Sequence, residues 1–116
     1  MSFIKTEYRI KLTSPINKTP ALVDQLIHVR LSGQLRDWTN GVTKVELDLV
    51  PNVLSAIKKL DRAYPGIGQR IVDDQDKIRT HVNVFVNLEN SRDLGREKTK
   101  LRDGDTIHVL PAVSGG

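Results

Sequence analysis

The sequence predicts an α+β fold in which one helix lies on one face of a sheet, and three observations predict it. Residues 26–31, 82–87 and 106–110 alternate apolar and polar side chains with a period of two, as half-buried strands do. Val53, Ala56, Ile57, Leu60 and Tyr64 instead recur at helical spacing and form one apolar face. The order strand, strand, helix, strands then gives a sheet whose valine-rich face one helix can cover.

Each element follows in turn. Residues 1–25 read as an N-terminal extension. Tyr8, Ile10 and Leu12 alternate with Arg9 and Lys11, which admits a short strand, but Pro15 and Pro20 punctuate a polar stretch, and the segment is read as a flexible arm. The folded domain is set at 26–110. Its first strand carries Ile27, Val29 and Leu31 against His28 and Arg30. Asn40-Gly41 is a turn signal, and Val42, Val45, Leu47 and Leu49 mark a second extended stretch. Asn52 after Pro51 suits a helix N-cap, and Pro65-Gly66 stops the helix after Tyr64. Lys58, Lys59, Asp61 and Arg62 are expected to face water. A further helical turn fits 68–72. Val82, Val84 and Val86 define a third strand, a short fourth falls within 89–100, and 106–110 is the last.

A two-residue period fixes two faces. With Ile27, Val29, Val82, Val84, Val86, Ile107 and Val109 turned to the helix, His28, Arg30, His81, Asn83, Phe85, His108 and Leu110 take the other side. Phe85 and Leu110 are then expected as exposed apolar groups on a polar surface, a docking signal near the C-terminus. The three histidines share that face without a carboxylate or cysteine spaced to complete a metal site, so no metal is expected. Arg96, Lys98, Lys100 and Arg102 occupy every second position. In an extended segment they would form one basic stripe, read as edge protection or steering toward an acidic partner.

Composition bounds the function. The chain has 116 residues, 38% hydrophobic and 28% charged, which fits one globular domain. No stretch approaches the roughly 18 apolar residues of a membrane span, and no signal peptide is visible, so a cytoplasmic protein is expected. Cysteine is absent, which excludes disulfides and thiolate metal sites. The net charge of +4 is modest, and the basic stripe has no aromatic interleaving, so nucleic acid is not the expected partner. Gly66-Ile67-Gly68 lacks the third glycine and the lysine of a phosphate loop, and no catalytic triad is supported. An enzyme is not expected.

The chain ends in Pro111-Ala112-Val113-Ser114-Gly115-Gly116. Two glycines carry no Cβ near the tip, so such a tail can thread a narrow channel. Its carboxylate is a poor nucleophile but one that ATP can activate as an acyl-adenylate. The tail, 111–116, is read as flexible, since Val113 is its only sizeable apolar side chain beyond the proline.

Leu101-Arg102-Asp103-Gly104-Asp105, the strand after it and the Gly-Gly ending together resemble the C-terminal signature of the MoaD/ThiS-like sulfur carriers. Tyr64-Pro65-Gly66-Ile67 and Val82-Asn83-Val84-Phe85-Val86-Asn87 are most similar to the CysO-type carriers within that group. The resemblance covers about residues 26–116 and leaves out the extension. It implies a ubiquitin-like β-grasp fold, a mixed sheet of four to five strands with one main helix, and first and last strands side by side in the centre. It implies a carrier that binds no cofactor itself. An E1-like adenylating enzyme of the MoeB/ThiF type, using ATP and magnesium, would adenylate Gly116. A sulfur source would then give a thiocarboxylate, and a second enzyme would accept the sulfur for an amino acid or cofactor. Gly115 would give access, Phe85 and Leu110 would dock, and the free carrier would be a monomer. A ubiquitin-like modifier, conjugated through Gly116 to lysines of other proteins, shares the first step and stays open.

Overall fold

The computed structural model of the chain describes residues 7–10, as backbone, and residues 25–111. The strands are β1 (Glu7–Ile10), β2 (Leu26–Leu31), β3 (Lys44–Asp48), β4 (Val82–Val86), β5 (Glu89–Asn90) and β6 (Thr106–Pro111). The helices are α1 (Val53–Ala63) and α2 (Ile67–Ile71), with 3-10 segments at Gly33–Thr39, Ser91–Asp93 and Arg96–Lys98. All strands join one mixed sheet in the order β1-β3-β2-β6-β4-β5. The ubiquitin-like arrangement expected from the sequence is present. The first and last strands of the 26–110 domain, β2 and β6, lie parallel at the centre, with Val29 beside Ile107.

The face assignment holds. Ile27, Val29, Val82, Val84, Val86, Ile107 and Val109 are all buried, none more than 6% exposed. Val45 and Leu47 of β3 join them, and α1 and α2 supply Val53, Ile57, Leu60, Ile67 and Ile71 to the same core. Each such side chain contributes about 1.5–3 kcal/mol when fully buried, so this single layer holds the domain together. Asn52 caps α1 as expected: its Oδ1 accepts from Ser55 N–H at 2.8 Å and from the Ser55 hydroxyl at 2.9 Å.

Four local differences have physical reasons. Asp61 does not simply face water. Its Oδ1 accepts from the N–H groups of Gly66 (3.0 Å) and Gly68 (2.9 Å), closing the turn from α1 into α2. The basic run 96–102 is no edge strand. Arg96–Lys98 is a 3-10 turn in which buried Glu97 points inward toward Lys77, and only Lys100 makes an isolated bridge, to Asn52. The four cations are nonetheless exposed. In the extension, Glu7–Ile10 takes the strand alternative and pairs parallel with β3, Tyr8 beside Val45 and Ile10 beside Leu47. Finally, β6 runs one residue past Leu110. Pro111 lies opposite Val82 at the end of the ladder, where a missing N–H costs nothing.

Candidate docking face and tail root

The turn at 101–105 anchors the start of β6. Asp103 Oδ1 accepts from Leu26 N–H at 2.9 Å, and Gly104 N–H donates to the Leu26 carbonyl at 2.8 Å. Asp105 uses all three of its oxygens: its carbonyl takes His28 N–H (2.9 Å), Oδ2 takes Arg102 N–H (2.8 Å) and Oδ1 takes the Asn87 amide (3.1 Å). Asn87 Oδ1 in turn accepts from Thr106 N–H at 3.1 Å. The two acids and the asparagine therefore tie β6 to β2 on one side and to β4 on the other.

At the other end of β6, Ser32 N–H donates to the Val109 carbonyl at 3.3 Å. Gly33 follows at φ +64°, and a Cβ there would come within 3.2 Å of Pro111 Cγ. Glycine is needed at this point for the backbone angle and for the proline ring alike. Pro111, the last described residue, is thus seated against the Gly33 turn. Gly115 and Gly116 lie outside the described residues, as does most of the extension and of the 111–116 tail.

Phe85 and Leu110 stand on the outer face, as the alternation required. Phe85 lies opposite His108, and Leu110 opposite Asn83, so the two apolar side chains are diagonal neighbours across β4 and β6. Both are half-buried rather than exposed. Around them, β5 sets Asn90 beside Phe85, and the Arg92 guanidinium donates to Asn83 Oδ1 at 3.1 Å and to the Val82 carbonyl at 3.0 Å. The large apolar side chains with most exposure are instead Leu88 (93%), Leu94 (42%) and Trp38 (40%). Periodicity could not find these. Leu88 sits in the β4–β5 turn, and Trp38 in a 3-10 segment where no strand alternation applies.

The histidines occupy separate settings. His28 Nδ1 lies 3.5 Å from Glu46 Oε2, His81 is exposed just ahead of β4, and His108 Nε2 shares a 2.8 Å hydrogen bond with the Ser32 hydroxyl. Partial burial, and then the Arg30 guanidinium, hold the His108 imidazolium below its usual pKa. Among the described residues, no three histidine, cysteine, aspartate or glutamate side chains group as metal donors, and no helix is long and apolar enough to cross a membrane.

Fold and site together define a ubiquitin-like β-grasp protein whose last strand lies at the centre of a mixed sheet. The chain belongs to the ThiS family, whose sequence model matches residues 29–116. Over 85 residues it is 39% identical to the sulfur carrier protein CysO of Mycobacterium tuberculosis, covering 71% of this chain and 89% of the relative. The structure is similar to a chain of the Amycolatopsis orientalis BexX/CysO complex, at a TM-score of 0.71 and 36% identity, over 78% of this chain and 99% of the other. It is also similar to the small archaeal modifier protein 1 of Methanosarcina acetivorans, with a TM-score of 0.68 and 28% identity over 81% and 99% of the two chains. This protein is therefore a member of a sulfur carrier family.

Proposed function

We propose that this chain is a sulfur carrier whose chemistry takes place at Gly116. The observation that carries the reading is the family match, which spans residues 29–116 and so includes Gly116. An E1-like enzyme of the MoeB/ThiF type would bind ATP and magnesium. The Gly116 carboxylate oxygen attacks the α-phosphorus and pyrophosphate leaves, giving an acyl-adenylate. A sulfide equivalent then adds to the acyl carbon and AMP departs, leaving a thiocarboxylate that a second enzyme draws on to build an amino acid or a cofactor. The chain itself is the substrate in each step, and Gly115 lets the tail enter the partner's cleft. Intact mass after incubation with such an enzyme, ATP, magnesium and a sulfur donor should show one oxygen exchanged for sulfur. An unchanged mass alongside a demonstrably active enzyme overturns the reading.

Docking is proposed to use Phe85 and Leu110, the diagonal apolar neighbours on the outer face of β4 and β6. Replacing either by Asp places a charge in a contact that binding desolvates, at a cost on the order of a few kcal/mol. Affinity for the adenylating enzyme is expected to fall at least tenfold, with circular dichroism of each variant as the fold control. Unchanged affinity in both variants would move the contact elsewhere.

A second reading has an observation of its own. The chain is 35% identical over 60 residues to the small archaeal modifier protein 3 of Haloferax volcanii, covering 52% of this chain and 64% of the relative. As a modifier, it would end in an isopeptide bond between Gly116 and a lysine amine, seen as higher-mass adducts in its native cell. A thiocarboxylate on the free protein, without adducts, favours the carrier.

A further inference from the structure

Beside Pro111 the outer face carries two adjoining cations, Arg30 and Lys44. Arg30 on β2 is directly opposite Lys44 on β3 and directly beside His108 on β6. Like charges opposite one another on a sheet face are mutually destabilising, so the pair stores repulsion that an anion would relieve. The pair borders a groove of about 410 Å³, whose lining also includes Arg36, Ser32 and Gly33. Among the described residues, no carboxylate lines the groove. Arg30, Lys44 and Arg36 are all exposed, and Arg36 spends only its Nε on the Gly33 carbonyl, at 3.2 Å. The nearest carboxylate along β3, Glu46, is engaged by His28. At the outer end of the row, Glu7 of β1 takes the register position beside Lys44.

We propose that this groove is a docking site for an acidic segment of a partner protein, with Arg30, Lys44 and Arg36 holding its carboxylates. The position selects the occupant. Gly33 in the groove wall abuts Pro111, the last described residue of β6, so the groove lies next to the point from which the tail continues in sequence. The groove has no aromatic side chain on which a base could stack, and Glu46 interrupts the positive track one step along β3, both of which disfavour a nucleic acid strand. The site rests on the carrier reading for the identity of its partner, the adenylating enzyme. The chemistry recognised, clustered carboxylates, comes from the groove alone.

The experiment pairs two variants, R30E/K44E and the neutral R30Q/K44Q, in the full-length chain. Both should fold, since every altered group is exposed: R30Q/K44Q removes the repulsion and R30E/K44E only reverses its sign. Affinity is measured against the purified MoeB/ThiF-type enzyme, from low salt to near 1 M, where the Debye length falls to about 3 Å. Wild type should bind with a steep salt dependence. The neutral variant should bind about tenfold more weakly at low salt, the reversed one more weakly still, and the three curves should converge at high salt. Equal affinities and equal salt slopes overturn the proposal, as does an absence of wild-type binding. A single-stranded oligonucleotide that binds wild type but neither variant also overturns it, by giving the groove to nucleic acid. The mass measurement on Gly116 keeps the two claims apart. Variants that bind weakly but are fully thiocarboxylated at saturating enzyme support docking and leave the carrier reading intact. Salt-dependent binding without any sulfur exchange supports the groove while the carrier reading falls.

Discussion

At the scale of single residues, the side chains that shape this molecule most are polar groups satisfying backbone donors at turns. Asp61 is the clearest. One carboxylate oxygen holds the N–H groups of both Gly66 and Gly68, and without it two half-buried donors lose their acceptor. Leaving such groups unsatisfied costs about 1–3 kcal/mol. Asp61→Ala is therefore expected to lower the urea midpoint with the slope m unchanged, while Asp61→Asn, which keeps an acceptor oxygen, recovers most of the loss. Equal loss in both variants would point to the charge of Asp61 instead. None of this was legible beforehand. A helix position four residues before a proline-glycine stop reads as solvated on a helical wheel, because the wheel has no knowledge of the chain folding back past its own end.

At the scale of elements, local periodicity carried far and pairing did not. The valines of β4 and the i, i+3, i+4, i+7 face of α1 were read correctly because burial on one side leaves its period in the sequence. The run 96–102 misled for the same reason. Its alternation is real, with Glu97, Thr99 and Leu101 buried between exposed cations, yet it runs through a 3-10 turn at Arg96–Lys98 and an isolated bridge at Lys100, not through a strand. The row Lys44, Arg30, His108 was invisible for the opposite reason: Arg30 and His108 were placed on the outer face and Lys44 was not singled out, because register across three strands is a property of the folded sheet. The join between α1 and α2 can be tested directly. Gly66, at φ +102°, lies under the Trp38 ring, and Arg70 stacks on the ring, its guanidinium carbon 5.1 Å from the centroid. A Cβ at Gly66 would overlap the ring, and the left-handed backbone angle adds strain. Because Trp38 is the sole tryptophan, its fluorescence reports this contact alone. Gly66→Ala should shift the emission to the red and lower stability by at least about 1 kcal/mol. Wild-type emission with wild-type stability would show that the ring does not depend on this seat.

At the scale of the whole molecule, the arrangement puts a dry, helix-covered face behind β6 and a charged, polar face in front of it. Stability then acquires a pH dependence through the front face. His108 is half-buried beside Arg30, with Ser32 on its Nε2 and Phe85 at its other flank, and no carboxylate is opposite it. Burial and the guanidinium lower its pKa from an ordinary 6.5. A pKa lower in the folded than in the unfolded chain means that the unfolded chain takes up the proton first. The stabilisation from keeping this imidazole neutral is complete above pH 6.5 and declines as pH falls through 6.5 to the folded value. Asp73, held below 3.8 by the N–H groups of Lys77 and Gln75, acts with the same sign in a separate, more acidic window. Urea unfolding from about pH 8 to about pH 5 should therefore show wild type losing more stability than His108→Gln, with the difference confined to the histidine range. Parallel curves for the two proteins would mean that His108 titrates alike folded and unfolded. A wild type that gained stability on acidification relative to His108→Gln would reverse the sign, requiring a carboxylate against His108 that the described residues do not place there.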